Sequence, residues 1–256
     1  MELKIAFWNI HNEDCNSIAN YLVDLLLSFD LELLFLSEHK SIESSFEKYL
    51  PNNYTILKNA GICQKVMAIA KKDCDFLVSS EERRFLVVTS KSLKYTVVGL
   101  HLPSDYSDKK ACLERSQILR NILEASNNFK SNKEIFVGDY NCMPYADELL
   151  DIFGMHSVLF KNEMESNVLA SHKKHYNPML LELNENNNVY GSFRYTSGVC
   201  NLYWYAYDQV IVSSDLVNSI FDIQYLKSIN GKSLMSPTGV EPLVSDHLPL
   251  VFKIKE

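Results

Sequence analysis

Apolar and polar positions alternate along the chain in blocks whose lengths and periods predict a strand-rich α/β protein. Lys4 to Trp8 reads as a first strand and ends at Asn9, where the pattern turns polar through His11-Asn12-Glu13-Asp14. From Asn16 to Phe29 the residues Ile18, Tyr21, Leu22, Leu25, Leu26 and Phe29 recur at helical spacing, with Asn16 or Ser17 as the expected cap. Leu31 to Leu36 is apolar except at Glu32, the signature of a strand covered on both faces, and it stops at Ser37-Glu38-His39.

A short helix is expected from Ser41 to Tyr49, then strands at Tyr54 to Leu57, Val66 to Ala70 and Phe76 to Ser79. Phe85 to Thr89 and Tyr95 to Leu100 flank a polar turn as a hairpin would, and Pro103 ends the second run with His101 at its tip. A long helix is expected from Asp108 to Asn127, and a strand from Glu134 to Val137. Gly138-Asp139-Tyr140-Asn141 follows that strand, and the glycine is read as permitting a sharp turn into a cleft. A short helix at Tyr145 to Ile152 comes next. Between Met155 and Asn188 the pattern weakens, as expected of loops laid over one edge of a core, where substrate selection is usually found. Strands resume at Val189 to Tyr195, Val210 to Val212 and Ile223 to Leu226, Ser214-Asp215 is read as the cap of a short helix, and a last strand follows Asp246-His247.

The 256 residues contain no Pro/Gly/Ser-rich linker, so residues 1–256 are read as a single domain. Met1 to Trp8 runs straight into a strand with no signal-peptide pattern, and the apolar stretch from Leu22 to Leu36 is broken by Asp24, Asp30 and Glu32, so no membrane span is expected. Six scattered cysteines, Cys15, Cys63, Cys74, Cys112, Cys142 and Cys200, show no C-x-x-C spacing and read as reduced cytoplasmic thiols. A net charge of -7 disfavours a broad phosphate-gripping surface, because Lys and Arg supply such affinity. It is compatible with carboxylates gathered around a divalent cation, and it leaves room for a protein partner that brings positive charge.

Asn9, Glu38, His101, Asp139 with Asn141, and Asp246 with His247 each fall at the end of an expected strand, where α/β folds build their sites. Singly, each reads as a turn residue, a helix cap or an edge histidine. Jointly, Phe7-Trp8-Asn9-Ile10, Leu36-Ser37-Glu38, Gly99-Leu100-His101-Leu102, Val137-Gly138-Asp139-Tyr140-Asn141, Tyr207-Asp208-Gln209-Val210 and Ser245-Asp246-His247 resemble, in order, the motifs of the endonuclease/exonuclease/phosphatase superfamily.

That resemblance spans nearly the whole chain. It implies a DNase I-like α/β fold, a four-layered sandwich of two mostly antiparallel β-sheets flanked by helices, with a divalent-metal site at one end of the sheets. Glu38 resembles the principal metal carboxylate, Asn9 its neighbour, and Asp246 a further acid at the metal; hard oxygen ligands of this kind suit Mg2+ or Mn2+. Asp139 resembles the group that orients or deprotonates water, Asn141 the amide that steadies a phosphate oxygen, and His101 the group facing the leaving oxygen. His247 resembles the imidazole that contacts the scissile phosphate or acts as base, and Asp208 its carboxylate partner. Ser37 stands where the family commonly has Gln, and Tyr140 where it commonly has Phe.

The implied activity is metal-dependent phosphodiester hydrolysis, first as a nuclease on DNA or RNA. For that substrate, Lys173, Lys174 and Arg194 are candidate phosphate contacts, and Trp204 with Tyr195, Tyr203 and Tyr205 candidate stacking residues. A phosphatase or phosphodiesterase of a nucleotide, inositol phosphate or phospholipid headgroup is the alternative. A binding module without catalysis fits least, because the whole set of expected catalytic residues is present.

Overall fold

A computed structural model describes residues 2–14, 17–40, 44–90, 92, 94–104, 111–129, 131–165, 172–182, 191–194, 204–237, 239–240 and 244–255. The first half runs β1 (Glu2–Asn9), α1 (Ala19–Phe29), β2 (Leu33–Ser37), α2 (Ser44–Glu47), β3 (Tyr54–Ile56), β4 (Val66–Lys71), β5 (Phe76–Glu82), β6 (Phe85–Ser90) and β7 (Tyr95–His101). It continues with α3 (Ala111–Asn127), β8 (Lys133–Asp139), α4 (Asp147–Leu150), β9 (Ser157–Val158), β10 (His175–Tyr176) and α5 (Met179–Glu182). After these come β11 (Phe193–Arg194), β12 (Trp204–Tyr205), β13 (Asp208–Ser213) and β14 (Ile220–Tyr225). Two small hairpins, β15 (Ser228–Ile229) with β16 (Lys232–Ser233) and β17 (Met235–Ser236) with β18 (Gly239–Val240), precede β19 (Leu250–Lys255).

Two sheets dominate, ordered β14-β19-β1-β2-β4-β3 and β5-β6-β7-β8-β13-β10-β9. Both are mixed: β1 with β2, β7 with β8 and β9 with β10 are parallel, and the remaining pairs are antiparallel. Alternation along the second sheet divides its apolar residues between two cores, as the period of a strand requires. Leu86, Val88, Val97, Ile135, Val137 and Val210 join the large core shared with the first sheet. Phe85, Val87, Val98, Leu100, Phe136 and Ile211 turn the other way, to Leu119 and Ile122 of α3. Leu22, Leu25 and Leu26 of α1 belong to the large core. The arrangement is the helix-flanked double sheet that the motifs imply.

Two glycines mark close approaches. A Cβ on Gly99 would lie 2.1 Å from Cδ1 of Phe35, so the missing side chain is what admits that ring between the sheets. Gly138, expected to turn the chain, instead stays inside β8 beside Leu100 and Gln209; an added Cβ there would meet the Leu100 carbonyl oxygen at 2.0 Å. The turn falls on Asn141, whose φ of 49 is a conformation asparagine tolerates.

Other boundaries shift. Helix α1 begins at Ala19 with Ile18 as cap and no side-chain capping bond, while Ser17 Oγ donates instead to Asp14 O at 2.6 Å. Asn16, Cys15, Cys200, Tyr190, Tyr195, Tyr203 and the Asn184–Asn188 run lie outside the described residues. Of the strand expected from Val189 to Tyr195, Phe193–Arg194 is observed among the described residues. The short helix expected at Ser214-Asp215 is a single 3-10 turn, Ser214–Leu216, with Ser213 rather than Ser214 as its cap.

His175 is buried in β10, where its Nδ1 meets the Met155 carbonyl at 2.6 Å, so Nδ1 carries the hydrogen. Its Nε2 has no partner among the described residues, and the ring lies edge-on to Phe136. Burial holds its pKa down to about 4, against the opposing pull of the Met155 carbonyl and Glu134. Between that value and an unfolded value near 6.5 the unfolded chain takes up a proton that the folded one refuses. Stability is therefore expected to fall as the pH drops from about 6.5 to about 4, by roughly 3 kcal/mol. Urea titrations at several pH values check this: the wild type should lose that stability across the window, and His175→Asn should lose far less.

Candidate active site

Each strand expected to end in a polar residue ends at the same edge of the double sheet. Asn9 closes β1, Glu38 follows β2, His101 closes β7 and Asp139 closes β8. Asp208 opens β13, which runs antiparallel to β8 and faces Asp139 across the ladder. His247 precedes β19, which is antiparallel to β1. Parallel and antiparallel pairing thus bring residues from both halves of the chain to one end of both sheets.

Glu38 takes a left-handed backbone, φ 53, which is strained for a residue with a side chain. The turn aims its carboxylate at His101, whose Nε2 lies 3.2 Å from Oε1, while Asn12 Nδ2 donates to Oε2 at 3.1 Å. Burial alone would raise the Glu38 pKa; the bond from His101, that ring's charge and the Asn9 amide outweigh it and hold the carboxyl at about 2. His101 Nε2 is also 3.6 Å from Asp139 Oδ2.

Asp139 is buried at the centre. Asn9 Nδ2 donates to its Oδ2 at 2.9 Å and the Asn141 N–H to its Oδ1 at 2.8 Å. Burial and the neighbouring Asp208 charge raise its pKa, with His247 and His101 opposing. Asn141 Nδ2 donates to Leu102 O at 2.9 Å, joining the loops after β7 and β8.

His247 Nδ1 and Asp208 Oδ2 are 2.7 Å apart, both residues buried. Burial of the ring would lower its pKa, but the charge and hydrogen bond of Asp208, with Asp139 and Asp246 beyond, raise it to about 10. The imidazole is thus a cation at neutral pH, its Nδ1–H fixed on Asp208. Asp208 is itself held on the main chain: its N–H donates to Ser192 Oγ at 3.0 Å, and Tyr225 OH donates to its carbonyl at 2.5 Å.

Asp246 borders the site through His11 and is not one of the three residues whose ligand atoms lie within 4.8 Å of one another around Asp139 and Glu38. Its Oδ2 is 3.1 Å from His11 Nδ1, and its Oδ1 is buried without a partner. Asn9 has its Oδ1 occupied by the His11 N–H at 3.0 Å, so its amide turns towards Asp139. Arg194 lies over the Trp204 ring at 5.8 Å in the β11–β12 hairpin, which abuts the site through the Phe193 and His247 pairing. Trp204 packs against the large core. Lys173 is elsewhere, paired with buried Glu134 near the opposite end of β8 from Asp139, and Lys174 donates to Glu163 O at 2.8 Å.

Sequence reading passed over His11, Asn12, Ser192, Tyr225 and Ser245, whose Oγ donates to Asn9 O at 2.6 Å. The polar run after Asn9 was a signal for the first two. Tyr225 and Ser192 carried none, because their partners are set by pairing across the fold.

The donors at this edge suit a divalent cation. Glu38, His101 and Asp139 present ligand atoms within 4.8 Å of one another, as do Asp139, Asp208 and His247. The depressed Glu38 pKa keeps its carboxylate ionised, as a hard cation requires.

Two packed mixed sheets with helices outside and polar strand ends gathered at one edge define a DNase I-like fold, the fold of the superfamily whose motifs the sequence resembles. No family model and no curated protein matches the chain at the sequence level. Solved structures do match in fold. TDP2 of D. rerio, complexed with a single-strand DNA product, aligns with a TM-score of 0.60 at 16% identity, covering 100% of this chain and 99% of that one. The endonuclease domain of TRAS1, a telomere-specific non-LTR retrotransposon, gives 0.60 at 16% identity over 100% and 99%. An AP endonuclease from Archaeoglobus fulgidus gives 0.55 at 17% identity over 98% of each chain.

Proposed function

We propose that this chain is a metal-dependent phosphodiester hydrolase, most simply a nuclease acting on DNA or RNA. The observation that carries the reading is the meeting of Glu38, His101 and Asp139 with the Asp208–His247 couple at one end of the double sheet. The similar folds support it, since their names include an endonuclease domain, an AP endonuclease and a protein bound to a DNA product.

In this reading Glu38 is the principal ligand of Mg2+ or Mn2+, and Asp246 contributes its unpartnered oxygen. Asn9 serves the cation through Asp139, which its amide orients. When bound, the ion neutralises charge that develops on the phosphoryl oxygens. Asp139, with its pKa raised, is the group that positions water and accepts its proton. Between the two roles that the resemblance allows His247, the high pKa favours donation to a phosphate oxygen over proton abstraction. His101 and Asn141 flank the departing oxygen and the phosphate. Arg194 and Trp204 are the nearer of the four suggested substrate contacts, whereas Lys173 and Lys174 hold surface segments. Cys63 and Cys74 carry thiols, which supports a reducing, cytoplasmic setting.

Incubating supercoiled plasmid, linear duplex and single-stranded RNA with Mg2+ or Mn2+ tests the reading. The wild type should cut at least one, and Glu38→Ala and His247→Ala should each abolish the cut. Turnover of small phosphoesters with all three nucleic acids untouched would overturn the nuclease and select the phosphatase alternative.

A further inference from the structure

A net charge of -7 and the absence of a basic stripe leave open how this chain would hold a polyanion. The fold supplies an answer that the linear order hides. β4 runs antiparallel to β2 with Val66 opposite Ser37, so Lys65 enters β4 at the end of the ladder where the chain turns off β2 at Glu38. β6 runs antiparallel to β7 with Phe85 opposite Leu100, and the next step sets Arg84 opposite His101. There the pairing continues: His101 N–H donates to Arg84 O at 2.9 Å, and Arg84 Nη1 reaches His101 O at 3.4 Å. Each of the two strands carrying Glu38 and His101 therefore has, as its outer neighbour, a strand introduced by a cation.

The two cationic turns also touch each other. Gln64 N–H donates to Arg83 O at 3.1 Å, and Cys63 Sγ lies 3.8 Å from the same oxygen. Arg83 is exposed and Lys65 half-buried, and neither is ion-paired among the described residues. The carboxylates closest in sequence are engaged elsewhere. Glu81 accepts the Ala60 and Cys63 N–H groups at 2.5 and 2.8 Å and Glu82 accepts from Asn121, whereas Glu114 pairs with Arg84 itself, 3.5 Å from its Nε, and leaves the charges of Lys65 and Arg83.

We infer that Lys65, Arg83 and Arg84 form a cationic ledge that takes the phosphates of a polynucleotide strand on the Glu38–His101 side of the scissile bond. The inference rests on the nuclease reading and deepens it. Arg84, clamped on the His101 main chain, fixes the ledge to the site, and Lys65 and Arg83 carry the free charge. Contacts of this kind position a strand without reading its bases.

The test is the salt dependence of oligonucleotide cleavage by the full chain with Mn2+, comparing the wild type with Lys65→Gln/Arg83→Gln. A control, Lys232→Gln/Lys253→Gln, removes the same charge from elsewhere. The ledge pair should raise KM about tenfold at physiological salt and flatten the slope of log affinity against log salt by about 1.8 on duplex DNA, ~0.9 for each phosphate no longer neutralised. The control should keep the wild-type slope, and Lys65→Arg/Arg83→Lys should restore it. A wild type that cleaves, with an unaltered slope in the ledge variant, overturns the ledge alone. A wild type that leaves oligonucleotides intact while hydrolysing bis(p-nitrophenyl) phosphate overturns the nuclease reading, and the ledge with it.

Discussion

Asp208→Asn is expected to lower kcat by roughly a thousandfold to ten-thousandfold, with little change in the fold. Asp208 Oδ2 fixes the His247 Nδ1–H at 2.7 Å, and its charge is the largest influence raising that imidazole against burial. Asparagine is nearly the same size and retains the Asp208 main-chain bonds to Ser192 and Tyr225. It removes the charge, however, and can turn an N–H2 towards the ring. His247 would then lose its hold on the proton, and its titration, followed by NMR on the metal-free protein, should move down from about 10. Retained activity in this variant would show that the His247 charge is not used.

Arg115→Met is expected to destabilise the protein by about 3–5 kcal/mol, because it leaves a buried carboxylate without its charged partner, with only the Cys112 thiol as a weak donor at 3.6 Å among the described residues. Arg115 lies in α3, its Nε 2.5 Å from Glu148 Oε1 and its Nη1 3.1 Å from Pro103 O, and both charged side chains are buried. The pair thereby joins α3, α4 and the loop that leaves His101. Removing both partners together, as Arg115→Met/Glu148→Met, should recover most of the loss, since an apolar pair of similar volume escapes the desolvation cost. Chemical denaturation of the wild type and the two variants reads the difference directly. A single variant as unstable as the double would mean that Pro103 O, and not the carboxylate, is the group harmed.

The strand ends were readable because their signal is local. Each core strand is an apolar run that stops at a polar residue, so Asn9, Glu38, His101, Asp139 and His247 could be placed at an edge from the pattern alone. Their order along the chain then pointed to the fold. What surrounds them was hidden. Tyr225 reaches the Asp208 carbonyl from the other sheet, and Asp246 meets His11 from the opposite end of the sequence, contacts that no window of residues contains. The same applies to Lys65 and Arg83, whose isolated charges acquire meaning through strand register. Gly138 was misread for a related reason: a glycine beside a polar cluster suggests a turn, yet here it makes room for a neighbouring carbonyl. The two-residue strands β9 and β10 owe their form to pairing with each other and with β13, and such segments have too few residues for a period.

The place of β19 in the first sheet ties the polar cluster to the closure of that sheet. β19 lies between β14 and β1, and the segment leading into it is sewn to the beginning of the chain: Trp8 Nε1 donates to His247 O at 3.0 Å and Ser245 Oγ to Asn9 O at 2.6 Å. Glu38, His101 and Asp139 all precede His247 in the chain, and the imidazole is carried in by the segment that fills the place beside β1. Without β19 the cluster lacks that imidazole and β1 has an open edge. Closing the first sheet and completing the polar cluster are therefore one event: the imidazole reaches Asp208 only when β19 is docked beside β1.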